Sequence, residues 1–196
     1  MTIFIATGNR HKAEEFSRIF SAHDIVVPED RGITFDPEET ESTFFGNALI
    51  KAKALYNLVG LPVIADDSGI CVDALDGEPG VLSARYGSTN GKTVSTEERN
   101  RLLLVRMQGV TNRSARFVCN MVLYFAPERF ISVQETLEGI IVTDQGYGTG
   151  GFGYDPVLYL PEFGKTVAEL SNEQKDKVSH RGKAARKLEK MLKSEK

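Results

Sequence analysis

The chain has 196 residues, 41% hydrophobic and 26% charged, with 24 Lys and Arg against 27 Asp and Glu. This composition excludes a disordered or fibrous chain, and a formal net charge of −3 argues against a broad basic face that coats nucleic acid. Apolar runs such as Leu102–Val105 fall far short of the roughly 20 residues that span a bilayer. Asn9, Arg10, His11, Lys12, Glu14 and Glu15 interrupt any leader-like stretch, so one unsecreted, cytoplasmic domain (residues 1–196) is expected, with no membrane and no nucleic-acid partner. Cys71 and Cys119 sit in apolar stretches without a CxxC or Cys/His cluster, which reads as core packing.

In chain order, Thr2–Ala6 reads as a strand broken by Thr7-Gly8-Asn9, followed by a helix over His11–Phe20. Residues 22–40 look irregular apart from a strand near Ile25–Val27. Phe45, Leu49, Ala52 and Tyr56 mark a helix over Thr43–Val59. Pro62–Ala65 is a strand expected to stop at Asp66-Asp67-Ser68-Gly69, with Ile70–Val72 extended beyond it. Leu75–Gly91 is a Gly/Pro-punctuated loop with a helical turn around Ser83. Ser95 and Glu98 form a capping box that opens a helix running to Gln108. Ala115–Ala126 alternates as a strand. Phe130–Leu137 and Ile140–Thr143 read as two strands separated by a bulge or bend at Gly139. Val157–Leu160 is a further strand, and a helix starts near Asn172 with a break near Ser179 and Gly182. The pattern predicts a mixed α/β sheet with flanking helices.

Three polar clusters stand where strands stop, which is where open α/β sheets place ligands. Thr7-Gly8-Asn9-Arg10-His11-Lys12 is a strand-to-helix turn whose backbone N–H groups suit an anion, with Lys12 as a point charge for a phosphate. An Asn-capped turn with a solvated Lys explains the same residues. Asp66-Asp67-Ser68-Gly69 puts two carboxylates side by side, which is costly without a cation or hydrogen bonds. Alternation along a strand gives them different jobs: one can face Mg²⁺ while backbone donors fix the other. A tight hairpin is the competing reading. Glu38-Glu39 precedes the second helix, on which Asn47 and Lys51 share a face. One of these carboxylates together with Asp67 would hold Mg²⁺, and Lys51 would reach a phosphate.

Five Gly in residues 146–153 rule out an ordinary strand, so backbone here can approach a flat or anionic ligand. Within this third cluster, Phe152, Gly153, Tyr154 and Asp155 are candidates for holding a base, by stacking of Phe152 or Tyr154. Lys175 and Ser179-His180-Arg181 frame the start of the last helix, whose basic stripe reads as a solvated face. Nine Lys and Arg against three Asp and Glu lie in residues 175–196, so the near-neutral total hides a basic tail on an acidic body.

TGNxxK, ADDSG, GTGGFGYDP and KxxxSHR occur in this order, with LDGEPGVLSARY between the second and third. Together they resemble the inosine triphosphate pyrophosphatase family over nearly the whole chain. The resemblance implies an elongated mixed sheet with two lobes around a central cleft, a homodimer, and Mg²⁺-dependent hydrolysis of ITP, dITP and XTP to the monophosphate and pyrophosphate. It implies that Thr7, Asn9 and Lys12 bind the triphosphate, that Glu39 or Glu38 joins Asp67 at Mg²⁺, and that Asp67 also activates water. Ser68 and Lys51 would assist at the phosphates. Phe152 would stack on the purine, Asp155 would contact it, and Lys175, His180 and Arg181 would read the base edge. Hydrolysis of other modified nucleotides and non-catalytic nucleotide binding are the alternatives.

Overall fold

The computed structural model describes residues 1–89, 93–143 and 151–194. In chain order its elements are β1 (Thr2–Ile5), α1 (Arg10–Ile19), β2 (Asp24–Val26), α2 (Phe44–Val59), β3 (Val63–Val72) and α3 (Thr96–Arg106). Then come β4 (Ser114–Ala126), β5 (Arg129–Ile141), β6 (Leu158–Leu160), β7 (Lys165–Thr166), α4 (Asn172–Val178) and α5 (His180–Ser194). Among the described residues the strands form one mixed sheet in the order β2-β1-β3-β4-β5-β6-β7. β1 runs parallel to β2 and β3, whereas β6 is antiparallel to β5 and β7. The expected mixed α/β class is therefore what the chain adopts.

The chain packs as two compact units, each assembled from non-contiguous segments, so no linker composition marks the division. The first comprises residues up to Asp67, Cys119–Glu135 and Val178 onward. Strand alternation divides its core in two. Ile3, Ile5, Ile64, Cys119 and Met121 pack with Phe16 and Phe20 of the α1 segment and with Ala184, Ala185 and Leu188 of α5. Phe4, Ala6, Val63, Ala65 and Val122 turn the other way, onto Ala48, Ala52 and Leu55 of α2. The basic stripe of α5 stays outside that core: exposed Lys187 pairs with Glu135, and Lys193 with Glu189.

The second unit comprises Ser68–Val118 and Thr136–Lys177. Asp66-Asp67-Ser68-Gly69 does not turn but runs straight through β3, which continues to Val72. Gly69 is there because a Cβ would overlap the Gly80 carbonyl oxygen and Ser83 Oγ. Ser83 Oγ in turn accepts from Ile70 N at 2.9 Å and donates to Gly80 O at 2.6 Å. We expect Gly69→Ala to lose about 2 kcal/mol of stability through this overlap, read as a lower urea midpoint. An unchanged midpoint would show that the loop gives way freely. Gly139 likewise lies inside one continuous β5, where it admits Tyr159 O and Leu158, so no bulge separates two strands. Cys119 is buried as expected, while Cys71 is only half-buried.

Candidate functional site

Helix α1 begins where the sequence places a turn. Asn9 caps it, its Oδ1 accepting from Lys12 N at 3.2 Å, and Thr7 Oγ1 accepts from Asn9 N at 3.0 Å. Gly8, Arg10 and His11 are exposed, and a Cβ on Gly8 would meet nothing, so this glycine answers no need of the fold itself. Thr7, Gly8, Asn9 and Arg10 line a cavity of about 410 Å³ together with Val27, Pro28, Ile33 and Phe35.

Beside that turn, β3 separates the paired aspartates. Ile64 faces α1 and α5, so Asp66, two residues on, faces them too; Asp67 follows Val63 and Ala65 toward α2. Asp66 meets Lys12 Nζ at 2.9 Å and Arg181 Nη2 at 3.2 Å. Arg181, at the start of α5, also pairs with Glu15, one turn along α1 from Lys12. All three partners lie deep: Arg181 is 2% and Asp66 2% exposed, and Glu15 6%. Burial opposes the charge on Asp66, but attraction by Lys12, Arg181 and Lys51 outweighs it and holds the carboxyl well below the ordinary range. Burial lowers the pKa of Lys12, which shares Asp66 with Arg181 and is repelled by it. Backbone donors were expected to fix the second aspartate; side-chain cations do so instead, because α1 and α5 both deliver one to that face.

Asp67 has a different set of neighbours. Lys51 Nζ donates to Asp67 Oδ1 at 3.1 Å and to Glu39 Oε1 at 2.9 Å. Asn47, one turn earlier on α2, donates to Asp67 Oδ2 at 3.4 Å and accepts from Glu41 N at 3.0 Å. Of the two acidic candidates before α2, Glu39 joins this group and Glu38 is exposed. Burial raises the pKa of Asp67, only partly offset by Lys51. Burial also opposes the charge of Lys51, yet Asp67, Asp66 and Glu39 together raise its pKa. Around Asp66 and Asp67 the described ion pairs thus set three cations (Lys12, Lys51, Arg181) against four carboxylates (Glu15, Glu39, Asp66, Asp67).

That donor set suits Mg²⁺, which binds through one or two carboxylates and leaves its other positions to water and phosphate. Lys51 sits where Glu39 and Asp67 need a positive charge between them. Among the described residues no group of three His, Cys, Asp or Glu side chains gathers as a metal site.

The second unit carries its own cluster. Asp155 Oδ2 accepts from Lys175 Nζ at 2.7 Å and from Phe152 N at 2.8 Å. The same ammonium lies 4.6 Å from the centre of the half-buried Phe152 ring. Gly151 has φ +72°, and a Cβ there would overlap the Asp155 carboxylate. Tyr154 is not placed to stack: its ring is 5% exposed and its hydroxyl donates to Ser83 O at 3.0 Å, making it an anchor. Gly153 completes the turn, Ser68 is half-buried in β3, and buried His180 opens α5. Gly146–Gly150 lie outside the described residues. Asn47, Glu15 and Asn100, whose Nδ2 donates to Gly153 O, were not among the predicted site residues. Asn47 had a visible signal in its spacing from Lys51; Glu15 and Asn100 have partners far away in the chain.

These groups lie within a span of the chain that matches known proteins. Residues 3–191 match the model of the Ham1 family. A dITP/XTP pyrophosphatase of Treponema denticola is 54% identical over 98% of this chain and 99% of its own length. A protein of the same name from Leptospira biflexa is 47% identical, over 93% and 92%. The structure of the Staphylococcus aureus Ham1 protein superposes with a TM-score of 0.89 at 40% identity and covers both chains completely. With nearly the whole sheet, both aspartates and most of the final helix inside the matched span, the chain belongs to the Ham1 family.

Proposed function

We propose that the protein hydrolyses non-standard purine nucleoside triphosphates such as ITP, dITP and XTP to the monophosphate and pyrophosphate, with Mg²⁺. The observation that carries this reading is the Glu39–Lys51–Asp67 cluster, in a chain so similar to proteins named dITP/XTP pyrophosphatase. Thr7, Asn9 and Lys12 hold the triphosphate at the start of α1, where helix N–H groups favour an anion. Asp67 orients the attacking water and accepts its proton as the α–β anhydride bond breaks and pyrophosphate leaves; burial raises its proton affinity toward that of a base. Lys12 and Lys51 counter charge on the departing oxygens. Three cations against four carboxylates give no positive excess for a polyanion, so Glu39 and Asp67 would hold Mg²⁺. When bound, the ion supplies Lewis-acid stabilisation of the phosphates.

In the second unit Phe152 takes the purine on its ring, and Lys175, fixed by Asp155, offers a donor to a 6-oxo group. His180 and Arg181 stand as proposed base-edge contacts, although Arg181 is engaged by Asp66 and Glu15. Adenine carries an amino group at that position and would leave a buried donor unpaired, at about 1–3 kcal/mol. We place the enzyme in the cytoplasm as a homodimer, the assembly the resemblance implies; no described helix is long and apolar enough to cross a membrane. The test is turnover of ITP with Mg²⁺, scored for pyrophosphate against single phosphate. Pyrophosphate is expected, with activity lost on chelation. Glu39→Gln should weaken Mg²⁺ activation about tenfold while Glu38→Gln leaves it unchanged. Release of single phosphates, or no turnover by folded protein, overturns the reading.

A further inference from the structure

We infer that Asn100 is a positioning residue for the purine: it holds the Gly153 peptide, and through it the Phe152 ring, without touching substrate. The inference rests on Phe152 being the base platform. The turn at 151–155 is fixed from inside by the Asp155 carboxylate, which takes Phe152 N and Lys175 Nζ. Its outer side is held at two points. Tyr154 is tied to Ser83 O, and Asn100 Nδ2 donates to Gly153 O at 3.1 Å.

Asparagine is a poor choice for the middle of α3 on any other ground. It is a weak helix former and an expensive group to bury, and here it is 4% exposed. The helix does not need it as a cap, since Ser95 does that, accepting from Glu98 N at 3.2 Å. A carbonyl can only accept, so the side chain must present its NH₂ to Gly153. That orientation leaves Oδ1 buried with no hydrogen-bond partner among the described residues. Leucine has nearly the same shape, suits both helix and core, and would leave no such atom. What only the amide supplies is the bond to Gly153 O. Gly153 has φ +64°, a conformation its backbone can leave easily, and Phe152 is the residue before it. Without the Asn100 donor the 153–154 peptide loses its fixed orientation, Gly153 can change its φ and ψ, and the Phe152 ring beneath Lys175 loses its set.

The test is a double-mutant cycle on ITP hydrolysis with Asn100→Leu, Phe152→Ala and the pair, with Asn100→Ala as a second variant. KM is the deciding readout, because it is independent of how much of a sample is folded. Asn100→Leu should raise KM about tenfold, within the range that stacking on one base supports, with kcat changed less than about twofold. The double variant should raise KM no further than Phe152→Ala alone, because Asn100 acts through that ring. A KM unchanged in both Asn100 variants beside a raised KM in Phe152→Ala overturns the role of Asn100 alone. Additive effects in the pair do the same. An unchanged KM in Phe152→Ala overturns the base-platform reading beneath it.

Discussion

Asp67→Asn is expected to lower kcat about a thousandfold while leaving the protein at least as stable as before. The loss follows from removing the proposed base, since a general base typically contributes 10²–10⁴ in rate. The stability follows from the sign of the pKa shift. A carboxyl raised above its unfolded value adds stability only while protonated, so its contribution is lost as pH rises through the folded value. At neutral pH the ionised group therefore costs the fold something, and a neutral amide of the same shape removes that cost. The single amide oxygen can keep the Lys51 contact, so only the long 3.4 Å contact from Asn47 is given up. A thermal melt beside steady-state kinetics reads both quantities. A fall in Tm that parallels the fall in rate would mean that Asp67 is a structural carboxylate and no base.

Arg181→Met should be the most damaging single change to the fold. It removes the guanidinium that bridges buried Glu15 and Asp66, leaving Lys12 as the ammonium paired with Asp66. Removing one member of a buried ionic group costs about 3–5 kcal/mol, which for a chain of this size lowers Tm by roughly 10 °C. Arg181→Lys should rescue little, because a point charge cannot span the two carboxylates that the guanidinium bridges. Adding Glu15→Met to Arg181→Met should recover part of the loss, since an apolar pair of similar volume replaces the uncompensated charge. A Tm within about 2 °C of the parent for Arg181→Met would remove the network from the list of what holds this unit together.

How much of this was legible in the sequence depended on how local its cause is. Asn9 and Ser95 each cap the helix they were expected to open, because capping is settled within three residues. The alternation of β4 and the break at Ser179 were readable for the same reason. Asp66-Asp67-Ser68-Gly69 misled because its turn chemistry is real, but four cationic and amide side chains from α1, α2 and α5 make the extended form the better one. Gly69 and Gly139 misled alike: each was read as a local break, and each instead makes room for backbone from elsewhere in the chain. β7 is two residues long and carries no pattern to read. The candidate site residues were named from their places within motifs. What each one touches was not legible there, since Arg181 and Glu15 are 166 positions apart.

The Lys51 bridge between Glu39 and Asp67 has a thermodynamic consequence for how this protein would take up the proposed Mg²⁺. In a zinc finger the ligands repel until the ion arrives, so folding and loading are one event. Here an internal ammonium already quiets the repulsion, and the scaffold is complete as synthesised. Magnesium then adds only the mass-action term for binding a finished protein, small unless its concentration far exceeds Kd. Chelated and Mg²⁺-loaded samples should melt within about 2 °C of each other although only one turns over. A Tm that collapses on chelation would make the ion part of the architecture. Otherwise, under the proposed Mg²⁺ dependence, the ion would set activity without altering how much folded protein there is.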